Sequence, residues 1–151
     1  MLILNTAIIL GMRERFFTLI LAAILLTACG AGSTESGIEV QRVKMGAGAQ
    51  GENRAVYLAM RNNGSEEDQL TGASSDAAEV VQLQNGTEVV DMIPVKADTE
   101  IVFIPNGYHV MLVRLKKELL VGDEIDVVLH FRDHEDLIIS VPVGEDPGHE
   151  H

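Results

Sequence analysis

Between residues 38 and 143 the chain breaks into short runs of alternating apolar and polar residues, and this punctuation restricts the fold more than any other feature. No stretch there carries a convincing 3.6-residue apolar period, whereas period-two alternation recurs and predicts strands. The runs cover 38–45, 55–61, 69–73, 79–84, 88–95, 100–104, 108–115, 124–131 and 137–143. Between them stand Asn62-Asn63-Gly64-Ser65, Asn85-Gly86, Pro105-Asn106-Gly107, Gly122-Asp123 and Asp133-His134-Glu135. Asn-Gly between two alternating runs is a strong hairpin signal, because both residues tolerate positive φ. Short strands at this spacing predict an all-β Greek-key sandwich or barrel. Residues 74–78 leave room for one helical turn at most. Gly46-Ala47-Gly48-Ala49 lacks the Gly-Lys-Ser/Thr that would follow in a phosphate loop, and it reads as a connection.

The N-terminal residues have a different character. Arg13 and Arg15 precede an apolar run over 16–26, followed by Thr27-Ala28-Cys29-Gly30. A basic stretch, an apolar core and small residues before a cut site describe a secretory signal. The run is shorter than the roughly 20 residues that span a bilayer. Leu26-Thr27-Ala28-Cys29 resembles the bacterial lipobox, whose cysteine becomes the lipidated first residue of the mature chain; the bland alternative is a chance cysteine after an uncleaved anchor. Met12 reads as the start of this signal, with the residues before it superfluous. The expected organisation is a signal peptide over 1–28, lipidation at Cys29, a tether over 29–37, a folded domain over 38–143 and an acidic, His-bearing disordered tail over 144–151. Cys29 is the only cysteine, so the mature domain has no disulfide and depends on its apolar core.

The full chain carries a net charge of −12. Removal of Arg13, Glu14 and Arg15 with the signal leaves nine basic and 22 acidic residues, or −13. Such a surface repels nucleic acid and anionic headgroups, so membrane attachment is expected through the lipid alone. It suits cations or a basic partner, and solubility explains it equally well.

The segment 105–123, PNGYHVMLVRLKKELLVGD, carries the chemistry. Alternate side chains of a strand share a face. His109 and Met111 therefore lie on one face, about 7 Å apart along the backbone, with Tyr108, Val110 and Leu112 on the other. Copper(I) is a soft ion that favours thioether and imidazole over oxygen, so His-x-Met is a sensible copper pair. Spacing alone is weak support, since a strand methionine usually fills a core.

The surrounding residues add weight. Gly107-Tyr108-His109-Val110-Met111 leads through a Leu-Lys-rich stretch to Gly122-Asp123. Upstream stand Tyr57-Leu58-Ala59-Met60-Arg61-Asn62-Asn63-Gly64, then Leu70-Thr71-Gly72-Ala73-Ser74-Ser75, then Met92-Ile93-Pro94-Val95. In this order, over residues 55–143, these resemble the periplasmic copper chaperones of the PCu(A)C type. The resemblance implies a cupredoxin-like sandwich holding one Cu(I) near its surface through two Met and two His. His109 and Met111 match the His-x-Met pair, and Met92 matches the Met before Pro-Val. The remaining His does not carry over: the family's Val-x-Leu-His strand is Val81-Gln82-Leu83-Gln84 here. An amide oxygen is a poor substitute for imidazole at Cu(I). The hairpin at Asn85-Gly86 and the loop from Met92 to His109 are also shortened.

Three readings of that position stay open. Copper is held by His109, Met111 and Met92 alone; a tail imidazole, His149 or His151, completes the site; or copper binding is lost and the sandwich reused. Met45 and Met60 are expected in the core. His130 and His134, with Asp133, Glu135 and Asp136, are expected at a polar hairpin tip, with adventitious Zn²⁺ or Cu²⁺ binding as the alternative. Glu66-Glu67-Asp68 and Asp123-Glu124 are expected as solvated turns. No nucleophile–base arrangement stands out, so an enzyme is not expected. The resemblance implies an exported, lipid-anchored Cu(I) chaperone on the periplasmic or outer side. Its partner would be the Cu(A) centre of cytochrome c oxidase, with a thiol-bearing Sco-type protein. The competing expectation is a metal-free lipoprotein that serves adhesion or scaffolding.

Overall fold

A computed structural model describes residues 37–145. The signal over 1–28, Cys29, the tether as far as 36, and the tail from 146 with His149 and His151 lie outside the described residues. Among the described residues all regular structure is strand: β1 (Ile38–Gly46), β2 (Arg54–Asn62), β3 (Asp68–Ser74), β4 (Ala78–Asn85), β5 (Glu88–Val89), β6 (Ile93–Val95), β7 (Glu100–Val102), β8 (Tyr108–Leu115), β9 (Glu124–Phe131) and β10 (Leu137–Gly144). Residues 76–77 form a turn and no helix.

The strands follow the order β5-β4-β8-β2-β1-β10-β9-β3-β6, with β7 also paired to β2. The parallel contact of β1 with β10, Met45 opposite Val143 and Gly46 opposite Gly144, joins two layers. Gly144 is still in strand, one residue beyond the expected domain end. The layers enclose Leu83, Val110, Leu112 and Phe103 from one side and Leu70, Ile93, Val127, Leu129 and Val141 from the other. Burying each large side chain contributes about 1.5–3 kcal/mol. Met45 and Met60, 1% and 0% exposed, belong to this core as expected.

The run over 88–95 is two strands. β5 pairs with β4 and β6 pairs with β3, in different layers, so the chain crosses between layers at residues 90–92. In the run 100–104 the strand ends at Val102, with one further hydrogen bond to β2 from Phe103 N to Leu58 O at 2.8 Å. Beyond it the chain turns into β8 through hydrogen bonds from Ile104 N to Tyr108 O and from Gly107 N to Ile104 O, both 3.0 Å. Asn106 takes φ 64° at that turn.

Two buried polar side chains organise the other turns. Asn62 donates to the Glu66 and Val95 carbonyls at 2.8 and 3.1 Å and accepts from Gly64 N at 2.9 Å. This gives the Asn-x-Gly pattern its structural basis. Asp68, expected in a solvated turn, is instead 6% exposed. Its carboxylate accepts from the backbone N–H groups of Gln69, Asp133 and His134 at 2.7, 3.0 and 2.9 Å. Those bonds replace the water that the buried carboxylate loses.

Candidate metal centre

β8 runs between β4 and β2; Val110, Met111 and Leu112 have a registered partner on both sides. Val110 and Leu112 are fully buried in the core, which turns His109 and Met111 to the opposite, outer face. Directly opposed residues of antiparallel strands share a face. Across β4, His109 stands opposite Gln84 and Met111 opposite Gln82. Across β2, Met111 stands opposite Ala55, and the Tyr57 ring lies 6.1 Å from that of His109 at a 58° tilt. The imidazole and the thioether thus stand side by side on one strand.

Although it is on the outer face, His109 is only 4% exposed. Its ring Nδ1 lies 3.0 Å from the Gly107 carbonyl oxygen. A carbonyl can only accept, so Nδ1 carries the proton of that bond and the neutral ring keeps its lone pair on Nε2. The same carbonyl accepts from Gly86 N at 3.0 Å, tying the β4–β5 turn to the β7–β8 turn. A Cβ at Gly107 would stand 2.9 Å from Ile104 Cγ1, so any larger residue would force a shift in this turn. Nε2 faces the Gln84 side chain, 3.1 Å from its Oε1, and the Gln84 amide nitrogen is bonded to Gln82 Oε1 at 3.1 Å. Gln84 therefore sits where the resemblance implies an imidazole, and it contacts the ring nitrogen with the free lone pair.

Met92 lies in the crossing between β5 and β6, three residues after Val89, which pairs with Gln84. It is 50% exposed. The outer face around the pair is apolar at its margins, with Val80 and Val89 both exposed and Val80 opposite Val113.

The histidines of the β9–β10 region are committed elsewhere. His130 Nδ1 lies 2.8 Å from Asp136 Oδ2, and its Nε2 lies 3.0 Å from Ser74 Oγ. His134 Nδ1 bonds the Glu135 carbonyl at 2.8 Å, and its ring meets Phe131 edge-on at 5.8 Å. Among the described residues no group of three or more His, Cys, Asp or Glu side chains is gathered as a metal site. The line Ser74–His130–Asp136 has the residue types and nitrogen order of an acyl-transfer triad, an arrangement the sequence reading missed. Its His and Asp side chains are 37% and 55% exposed, so water screens the charge that would activate the serine. The line fastens the β9–β10 hairpin to β3. Beside it, the hydrogen bond and charge of Asp133 hold the Arg132 guanidinium above its usual pKa.

The LpqE-like lipoprotein family matches residues 38–143. The chain is similar to a protein of Leifsonia xyli subsp. xyli that carries a lipoprotein name, 30% identical over 126 residues, covering 78% of this chain and 75% of that one. It is also 30% identical over 103 residues to an uncharacterized protein of Rickettsia prowazekii, covering 62% of this chain and 57% of the other. Among solved structures, the copper-bound PCuAC domain of PmoF2 is similar at a TM-score of 0.65 and 25% identity, covering 72% of this chain and 92% of that domain. The Cu(I) form of DR1885 from Deinococcus radiodurans shares the fold at a TM-score of 0.63 and 23% identity, covering 80% of this chain and 87% of that one. The sandwich is therefore cupredoxin-like, as expected.

Proposed function

The chain belongs to the LpqE-like family and has the fold of PCuAC domains, and from that premise we propose that it is an exported, lipid-anchored copper chaperone. It binds Cu(I) through His109 Nε2 and the Met111 thioether, with Met92 as third ligand. The observation that carries this reading is the shared outer face of His109 and Met111, with Nδ1 fixed by the Gly107 carbonyl so that Nε2 is the ligating atom. Metal-binding histidines usually donate their other ring N–H to a carbonyl or carboxylate, which fixes the tautomer and the ring's orientation. The lipoprotein name of the Leifsonia relative supports anchoring at Cys29.

Chaperone behaviour follows from the ligand chemistry. Thioethers are neutral, weakly basic donors, so Cu(I) held by one or two of them moves readily to a thiolate or imidazole on another protein. A ligand pair near the surface lets donor and acceptor share the ion during exchange. The acceptor proposed from the family resemblance is the Cu(A) site of cytochrome c oxidase, with a Sco-type thiol protein as a further partner. The function is non-enzymatic.

A second reading, a metal-free adhesion or scaffold lipoprotein, is favoured by one observation: Gln84 replaces an imidazole and is bonded to His109. Competition for Cu(I) with a chromophoric chelator separates the two. Copper binding that weakens at least tenfold in His109→Ala and in Met111→Ala supports the chaperone. An unchanged affinity in both variants sinks it.

A further inference from the structure

Building on the copper reading, we propose that Gln84 is a latch on the copper pair. Its side-chain amide closes over the one ring nitrogen of His109 that can take copper, yields to the incoming ion, and closes again as the ion leaves.

Three observations lead there. First, His109 has a single free donor atom, because Nδ1 is spent on the Gly107 carbonyl at 3.0 Å. Second, Gln84 is directly opposite His109 in the sheet and its amide lies 3.1 Å from Nε2. Third, His109 is 4% exposed, with the Tyr57 ring to one side and Gln84 to the other. Copper and the Gln84 amide therefore compete for one lone pair. Gln82 extends the cover, since it bonds Gln84 at 3.1 Å and stands opposite Met111. In the structure Gln84 Oε1 faces Nε2 and the Gln84 amide nitrogen faces Gln82 Oε1; in the latch both amides are turned about their ends. A neutral imidazole that donates from Nδ1 accepts at Nε2, so Gln84 then meets it through amide N–H, and Gln82 in turn donates to the Gln84 oxygen.

An amide suits the task because it is uncharged and its oxygen is hard, so it covers the nitrogen without competing as a ligand for Cu(I). The exchange balances simply. Copper stays Cu(I) throughout; the bonds from Nε2 and from the methionine sulfurs to copper break as the acceptor's donor atoms bond the ion, and the Gln84 N–H re-forms its bond to the Nε2 lone pair. A thiol acceptor gives its proton to solvent, and His109 changes no proton. The latch lowers copper affinity and assists release.

The test uses the full-length protein with Gln84→Ala, and Gln84→Leu as a second variant that keeps the side-chain volume. Cu(I) affinity by chelator competition is expected to rise about two- to tenfold in Gln84→Ala, the equilibrium worth of one intramolecular hydrogen bond. Independently of copper, the His109 Nε2 nitrogen resonance of the metal-free protein is expected to move downfield in both variants, toward a bare acceptor nitrogen. A weakened affinity overturns the latch by making Gln84 a ligand or a support. An unchanged affinity, or an unmoved Nε2 resonance, also overturns it. If neither the wild type nor Gln84→Ala binds Cu(I), the copper reading falls and the latch with it, whereas failure of the latch alone leaves wild-type binding intact.

Discussion

Gly107→Ala isolates the support of the site from its ligands. The added Cβ would stand 2.9 Å from Ile104 Cγ1, while the next contacts, Ile104 Cδ1 and the Ile104 oxygen, are at an ordinary 3.6 Å. Isoleucine is stiff at χ1, so the clash is relieved chiefly by shifting the 104–107 turn. That shift costs about 1–3 kcal/mol in overpacking, or roughly 4–8 °C of melting temperature per kcal/mol for a domain of this size. The same movement displaces the Gly107 carbonyl from His109 Nδ1 and from Gly86 N, both at 3.0 Å. Loss of an outer-shell partner of a metal-bound histidine lowers metal affinity about 10–100-fold. Because the clash is with one side chain, Ile104→Ala added to Gly107→Ala restores both stability and affinity. Ile104 is 52% exposed, so its own truncation costs little. Thermal unfolding and chelator competition on the two single variants and the double variant give the answer. If the double variant is as impaired as Gly107→Ala, glycine is required for backbone reasons and the steric argument is wrong.

Other consequences are separable. Asn62→Ala strands the Glu66 and Val95 carbonyls and the Gly64 N–H; it is expected to cost about 1–3 kcal/mol, read as a lower denaturant midpoint at constant slope. A fluorophosphonate probe is expected to leave Ser74 unlabelled, and Ser74→Ala to leave Cu(I) affinity unchanged, because the Ser74–His130–Asp136 line is open to solvent; labelling seen by mass spectrometry would make Ser74 a nucleophile. Deleting residues 148–151 is expected to change Cu(I) affinity less than about twofold, whereas a tenfold fall would assign the missing imidazole to His149 or His151.

Much of the fold was legible because alternation reports faces directly. The pattern over 108–115 put Val110 and Leu112 on one face and His109 and Met111 on the other, and the structure turns the first pair into the core. What escaped depends on partners distant in sequence. The contact of Gln84 with His109 requires the β4–β8 register, which no local pattern carries. Ser74 meets His130 through the β3–β9 register, shifted between Leu70 and Gly72. Asp68 is buried because backbone N–H groups 65 and 66 residues away converge on it, whereas Glu66-Glu67-Asp68 reads locally as a solvated turn. The layer crossing at residues 90–92 was hidden because Val-Val-Asp-Met-Ile-Pro-Val holds no turn signal. The pairing that ends the strand is decided by which sheet edge is within reach.

X-ray absorption at the copper edge of the Cu(I)-loaded protein reads out whether the site built on His109 and Met111 is a mixed nitrogen–sulfur one. Cu(I) coordinated by both sulfur and nitrogen is expected, the nitrogen lost in His109→Ala and sulfur reduced in Met111→Ala. A shell of oxygen and nitrogen alone, unchanged in both variants, would contradict it.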